Sequence, residues 1–309
     1  MFRRASLRVV ALLSFSILLP ACGVDTPPPR RATAVTPGAP RDEEQPQLLP
    51  GNSNTVPLNA PPAVAAESAI VIDPVSGRVL FAKNADTKRQ IASTQKLVTA
   101  LVVMDSGSLS DPVTIAPVDT QCEPTKLNLK PGETYTRGDL LRVLLVKSAN
   151  DVARALARDV GGSVEGFAEM MNRKAASLGM RNSHFENPNG LPNPMQFSTA
   201  RDISIAARSA WRIPTIRSMT ALQSTTFLYN NGTTRTLENT NKLLKKVPYC
   251  DGLKTGTTDL AGRCLVSSGT LGGRSAIVVV LKSNSANVWT DSEKLLRWSL
   301  ERPGAVTAR

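Results

Sequence analysis

Histidine is nearly absent from this chain: His184 is the only one among 309 residues. Cysteine is scarce too, with thiols at Cys22, Cys122, Cys250 and Cys264. One imidazole and dispersed thiols provide no zinc-ligand spacing, so neither a metal nor another cofactor is called for. A triad built on His184 is not expected either, because Asn182-Ser-His-Phe185 reads as a solvated turn. Aromatic residues make up 4% of the chain, too few for the stacking platforms that hold single-stranded nucleic acid. The formal net charge of +12 asks for anionic surroundings. Lys and Arg are nevertheless scattered, with no basic block and no basic–aromatic interleaving. That argues against nucleic acid and leaves anionic lipid, acidic polymers or a merely solvated basic surface. No internal repeat is visible, and Met170-Met171 reads as core packing rather than a cofactor box.

What is present begins with an export signal. Arg3, Arg4 and Arg8 precede an apolar run over residues 9–19, which is of signal-peptide length and too short to span a bilayer comfortably. Leu19-Pro-Ala-Cys-Gly23 follows and resembles a bacterial lipobox, which makes Cys22 the expected lipidation site and mature N-terminus. Pro20 stands where a small residue is usual, so cleavage by ordinary signal peptidase is the alternative. Residues 23–62, rich in Pro, Thr, Ala and Gly, cannot bury a core and read as an extended tether. The expected plan is a signal peptide at 1–22, that tether, one folded domain at 63–303 and a tail at 304–309. The hydrophobic content of 41% suits a domain with a substantial core.

The domain opens with two apolar, β-branched runs, Ser68-Ala-Ile-Val-Ile-Asp73 and Arg78-Val-Leu-Phe-Ala82, joined by the turn chemistry of Asp73-Pro-Val-Ser-Gly77: a β-hairpin. Helical patterns follow. One begins near Ser93 and one after Thr136, with an apolar stripe at Leu140, Leu141, Leu144 and Leu145. Others cover residues 150–160, a face marked by Phe167, Met171 and Leu178, and a stretch capped by Ser198-Thr-Ala-Arg-Asp202 that stops before Pro214. Beyond residue 224 the pattern turns to strands. Residues 225–229 pair with 233–237, 252–257 with 264–269, and 276–281 form a fully apolar strand before a terminal helix at 289–300. Strands at both ends with helices between them predict an α+β domain whose antiparallel sheet joins the chain's two ends.

Three short motifs lie on these elements. In Ser93-Thr-Gln-Lys96, helical spacing puts Lys96 on the face of Ser93. Lysine can take the serine proton if burial and neighbouring cations lower its pKa. Alone, S-x-x-K is expected by chance about once in a chain of this length. In Ser148-Ala-Asn150, a hydroxyl and an amide at a helix break can project into one cleft, although both residues are also ordinary helix caps. In Lys254-Thr-Gly256, a strand puts Lys254 and Gly256 on one face and Thr255 on the other. Lys254 could hold a carboxylate, and Gly256 lets another backbone lie close.

This ordered trio is the signature of serine penicillin-binding proteins and class A β-lactamases. Longer stretches narrow it. Ile91-Ala-Ser-Thr-Gln-Lys-Leu-Val-Thr-Ala100, Leu145-Val-Lys-Ser-Ala-Asn-Asp-Val-Ala153, residues 167–190, Ser198-Thr-Ala-Arg-Asp202, Asn239-Thr-Asn-Lys-Leu-Leu244, Asp251-Gly-Leu-Lys-Thr-Gly-Thr-Thr-Asp259 and Ala261-Gly262 resemble the low-molecular-mass penicillin-binding proteins, the serine D-alanyl-D-alanine carboxypeptidases of peptidase family S11. The resemblance covers residues 66–301. It implies a β-lactamase/transpeptidase-like α+β fold with an inserted helical subdomain. By position it implies Ser93 as nucleophile, Lys96 as general base, Ser148 and Asn150 as proton relay and positioning pair, and Lys254, Thr255, Gly256 and Thr257 as substrate-binding residues. The backbone N–H groups of Ser93 and Thr257 would form the oxyanion hole. Implied partners are peptidoglycan stems ending in D-Ala-D-Ala, β-lactam inhibitors and, through the lipid, a membrane on the exported side of the envelope. Many members carry a further β-rich domain and a C-terminal anchor; the fifty or so residues after Gly256 suffice only for the sheet and a terminal helix. The rivals are an endopeptidase acting on cross-links, a β-lactamase relying on Glu165 or Glu169, and an inert binding protein, which none of the intact motifs favours. Cys250 and Cys264 bracket Lys254 and could be bridged; buried free thiols are the preferred reading.

Overall fold

The computed structural model describes residues 60–301. The expected signal peptide with Cys22, most of the expected tether (residues 23–62) and the expected tail at 304–309 lie outside the described residues. In chain order the elements are β1 (Ser68–Ile72), β2 (Val79–Lys83), a 3-10 turn (Ala92–Gln95), α1 (Lys96–Asp105), β3 (Pro112–Thr114), a second 3-10 turn (Pro117–Thr120), β4 (Thr134–Thr136), α2 (Arg137–Val146), α3 (Asn150–Gly161), α4 (Val164–Leu178), α5 (Ala200–Trp211), α6 (Pro214–Thr220), β5 (Ser224–Leu228), β6 (Thr234–Glu238), α7 (Leu243–Lys246), β7 (Cys250–Thr258), β8 (Gly262–Leu271), β9 (Arg274–Ser283) and α8 (Asn287–Leu300).

The main sheet runs β2-β1-β9-β8-β7 and is antiparallel throughout. β1, from the start of the domain, pairs with β9, from its end, as in Ile70↔Val279. Each face of β9 is covered. Ala276, Val278 and Val280 pack with Leu265, Leu295, Leu296 and Leu300 beneath α8. Ile277, Val279 and Leu281 pack with Ile70, Val266 and the helices of the other layer. A strand sandwiched in this way has no polar side, which is why it reads as an unbroken apolar run. Each such buried Val or Ile contributes about 1.5–3 kcal/mol of transfer free energy. In the helical layer Leu140, Leu144, Phe167, Met171 and Ile203 belong to that same core.

Three of the described helices start at a side-chain cap. The Thr136, Ser163 and Thr199 side chains accept from the backbone N–H groups of Asp139, Gly166 and Asp202. The first hairpin, the helices and the α+β class match the sequence expectation. α5 ends at Trp211, before Pro214 as expected, and Pro214 then opens a further helix, α6, that the sequence reading missed. The β3–β4 hairpin and α7 also escaped the sequence reading. β5 and β6 form their own two-stranded sheet. Cys122, Cys250 and Cys264 are free thiols. Cys250 pairs with Gly269 and Cys264 with Gly256, at opposite ends of the β7–β8 ladder and far beyond disulfide reach. Burial pushes each thiol up to about 11. Among the described residues no helix is long and apolar enough to cross a membrane.

Candidate active site

The site lies where the edge strand β7 meets the 3-10 turn that precedes α1. Gly256 makes that approach: a Cβ there would lie 2.9 Å from the backbone nitrogens of Ser93 and Thr94. Gly190, at φ +82°, closes the turn from another side, since a Cβ on it would come within 2.2 Å of Ala92 O. The turn itself is strained, with Ala92 at φ +48°, and Ser148 across the cleft sits at φ +66°. Non-glycine residues in this region cost of order 1–3 kcal/mol each and persist only where the surroundings over-determine them. Both positions adjoin or carry a residue singled out from sequence.

Lys96 begins α1 and is fully buried. Its Nζ lies 2.8 Å from Ser93 Oγ, 2.8 Å from Asn150 Oδ1 and 2.7 Å from the carbonyl oxygen of Asn189. Burial and then the nearby Lys254 charge hold its pKa well below the ordinary lysine value. A neutral amine has two N–H bonds and one lone pair. Asn150 Oδ1 and Asn189 O can only accept, so they take both N–H bonds. The lone pair is then left for the Ser93 hydroxyl, whose proton has Nζ and Asn189 O as acceptors, the latter at 3.1 Å. Geometry and electrostatics thus both suit Lys96 as a base.

Asn150 is fixed from its far side. Its Nδ2 donates to Pro124 O at 2.7 Å and its backbone N to Thr125 O at 2.8 Å. The next residue, Asp151, is buried and accepts from the backbone nitrogens of Leu127, Asn128 and Leu129. It tethers the loop that holds Asn150. Neither Asp151 nor Asn189 was given a role from sequence, although both fall inside stretches that carried the resemblance. No local pattern marks a backbone carbonyl as a lysine acceptor.

Ser93, Ser148, Asn150, Thr255, Gly256 and Thr257 line one cavity of about 1020 Å³. Lys254 is not among the lining residues. It is 1% exposed, and its Nζ donates to Thr255 O at 3.1 Å. Burial lowers its pKa to about 7. Strand alternation puts Lys254 on the face of Gly256, which packs against the 3-10 turn, and the Thr255 and Thr257 side chains on the other. Thr255 Oγ1 lies 2.6 Å from Thr240 Oγ1. Among the described residues no hydrogen bond joins Ser148 Oγ to either lysine. His184 Nε2 pairs with Glu186 Oε1 at 2.6 Å and takes no part in the cavity lining. Glu165 and Glu169 are exposed on α4, with Glu169 beside Arg173 at 3.6 Å, so no carboxylate of that helix reaches Ser93.

Comparison with known proteins agrees with this geometry. The sequence profile of the Peptidase S11 family, D-alanyl-D-alanine carboxypeptidase, matches residues 55–285. The D-alanyl-D-alanine carboxypeptidase DacF of Bacillus subtilis (strain 168) is 34% identical over 225 residues, 71% of this chain and 58% of that protein. DacB2 of Mycobacterium tuberculosis, also named a D-alanyl-D-alanine carboxypeptidase, is 34% identical over 252 residues, 80% of this chain and 85% of that one. The chain therefore spans little more than half of the first relative and most of the second. The crystal structure of the Streptomyces K15 DD-transpeptidase superposes with a TM-score of 0.74 at 31% identity, covering 78% of this chain and 98% of that one. The chain belongs to the D-alanyl-D-alanine carboxypeptidase family of serine peptidases, Peptidase S11.

Proposed function

We propose that this chain is a serine D,D-carboxypeptidase that removes the terminal D-Ala from peptidoglycan peptide stems and is acylated by β-lactams at the same serine. The observation that carries the reading is the Lys96 amine, 2.8 Å from Ser93 Oγ with its other hydrogen bonds committed to Asn150 and Asn189. Ser93 Oγ attacks the carbonyl carbon of the penultimate D-Ala as its proton passes to Lys96 Nζ. The backbone N–H groups of Ser93 and Thr257 receive the oxyanion, each worth about 3–4 kcal/mol to the transition state when well aimed. The tetrahedral species collapses, the C–N bond breaks, and the proton returns through Ser148 to the departing D-Ala amine. Water then releases the acyl group from Ser93. Asn150 holds Lys96 and the substrate amide.

Position in the cell is part of the proposal. The export signal and the Leu19-Pro-Ala-Cys22 sequence support an envelope enzyme lipidated on Cys22, with residues 23–62 as spacer. Labelled palmitate should enter the wild type and not Cys22→Ser.

The deciding experiment is mass spectrometry after treatment with labelled penicillin, with the modified residue mapped, alongside D-Ala release from a D-Ala-D-Ala peptide. Label on Ser93, loss of label in Ser93→Ala, and D-Ala release by the wild type are expected. Label at full stoichiometry on Ser93→Ala would sink the assignment. With no α4 glutamate at Ser93, the penicilloyl-enzyme is expected to persist; rapid multiple-turnover penicillin hydrolysis without D-Ala release would make this a lactamase.

A further inference from the structure

The proposed substrate ends in a carboxylate, and Lys254, the cation expected to receive it, is buried and does not line the cavity. Another cation stands on the correct face. Thr257 pairs with Arg263 of β8 across the ladder. Arg263 Nη1 donates to Thr257 Oγ1 at 3.0 Å, and its Nε donates to Ser285 Oγ at 3.1 Å. Arg263 is exposed and lines the same cavity as Ser93, Thr255 and Thr257. Both of its recorded partners are neutral hydroxyls. Among the described residues no carboxylate lies within 4.0 Å of the guanidinium, although Asp259 lines the same cavity at the tip of the β7–β8 hairpin. Two hydroxyl tethers fix the plane of the group while its charge stays unanswered. A guanidinium so held keeps N–H donors for a two-oxygen acceptor, a match that a lysine point charge lacks. Thr255 and Thr257, alternate residues of one strand, stand about 7 Å apart on that face. A carboxylate seated by them therefore meets the Arg263 fork and the pair of threonine hydroxyls together.

We infer that Arg263 is the specificity-determining residue for the C-terminal carboxylate of the substrate, with the Thr255 and Thr257 hydroxyls completing the receptor. This rests on the carboxypeptidase reading of the Ser93 site. It makes Lys254 an electrostatic neighbour of Lys96 rather than a contact to substrate. It also makes a free chain end, as opposed to an amidated or cross-linked one, the feature this enzyme selects.

The test compares two peptides, one ending in D-Ala-D-Ala as the free acid and one as its C-terminal amide, on wild type and on Arg263→Gln. The ratio of kcat/KM for acid over amide should fall about 10- to 100-fold in the variant, the usual span for losing a charge-assisted hydrogen bond. Arg263→Lys, which keeps the charge without the fork, should recover part of the ratio. An unchanged ratio overturns the inference, whether both peptides slow equally, as a structural role requires, or neither does. If wild type releases no D-Ala from either peptide, the carboxypeptidase reading fails. The Arg263 inference is then decided by penicillin acylation of Ser93, comparing the free acid with its methyl ester in the same variants. Absence of both reactions in wild type overturns the two together.

Discussion

The interior of the main sheet and its outer edge are made from similar strands and solve opposite problems. Along β9 each side chain from Ala276 to Leu281 is apolar and buried, and each is met by other apolar groups. Along β7, one strand beyond β8, a lysine is buried, a glycine replaces any side chain, and threonines face an open cavity. The first arrangement minimises free energy position by position. The second accepts local costs at the cleft: two buried amines, Lys96 and Lys254, and left-handed backbone at Ala92 and Ser148. Violations of packing rules thus mark the chemistry more sharply than any one residue type does.

If that contrast is real, damage to the edge should cost rate, and damage to the interior should cost stability. The largest effect is expected from Lys96→Arg. Arginine cannot give up its proton, and its bulk cannot reproduce three contacts made by one nitrogen. Acylation by penicillin should slow by about 10²- to 10⁴-fold, the contribution of a positioned general base. Near-normal acylation by stopped-flow or gel label would point to another base.

Gly256→Ala comes next. The added methyl would sit 2.9 Å from two backbone nitrogens of the 3-10 turn, so β7 has to retreat from Ser93. A displacement of about 1 Å costs about 10²-fold in rate. D-Ala release should therefore drop by that order while the thermal midpoint moves little. A collapse of the midpoint with intact turnover would contradict the division between edge and interior.

Ile277→Val probes the other side of the comparison. It removes one methylene from a fully buried position on β9 and should cost about 0.5–1.5 kcal/mol in urea unfolding. Turnover per folded molecule should not change; a matching fall in kcat would show that the interior and the cleft are coupled.

The smallest expected effect is a slope. Burial lowers the Lys254 pKa to about 7 in the folded chain, against 10.5 for an ordinary lysine. Between those pH values the unfolded chain binds more protons than the folded one, so unfolding free energy rises with pH across that window. Lys96, also lowered, adds to the same sign. Lys254→Met should flatten the rise between pH 7 and 10.5, and an unaltered slope would mean that Lys254 is charged when folded.

Much of this was legible in the sequence, and the exceptions share a physical origin. The first hairpin, the Thr136 and Thr199 caps and the Ser93–Lys96 contact depend on neighbours a few residues apart, which local pattern encodes. The start of α6 could have been read, because proline is favoured in the first turn of a helix as well as after its end. The β3–β4 pair could not. Its strands have three residues each and lie twenty positions apart, as in Thr114↔Thr134, too short for any periodicity. The motif around Lys254 was found, but the depth of Lys254 was not, because its burial comes from packing between distant parts of the chain that no local pattern encodes. Arg263 lies in no motif and became visible only through its cross-strand neighbour Thr257.

The pairing of β1 with β9 also bears on time. Ala66, at the start of the domain, donates to the Asp291 carboxylate across a separation of 225 residues. Contacts of that range require closing a very long loop before any of them is rewarded, which places such topologies among the slow folders. β7, β8 and β9 are consecutive strands, but the 3-10 turn that carries Ser93 comes from the start of the domain, so β7 meets Ser93 only across a loop of more than 150 residues. Maturation of the nucleophile is therefore a late event. Acquisition of penicillin reactivity should follow helix formation with a lag, and the enzyme is silent for as long as its chain is incomplete.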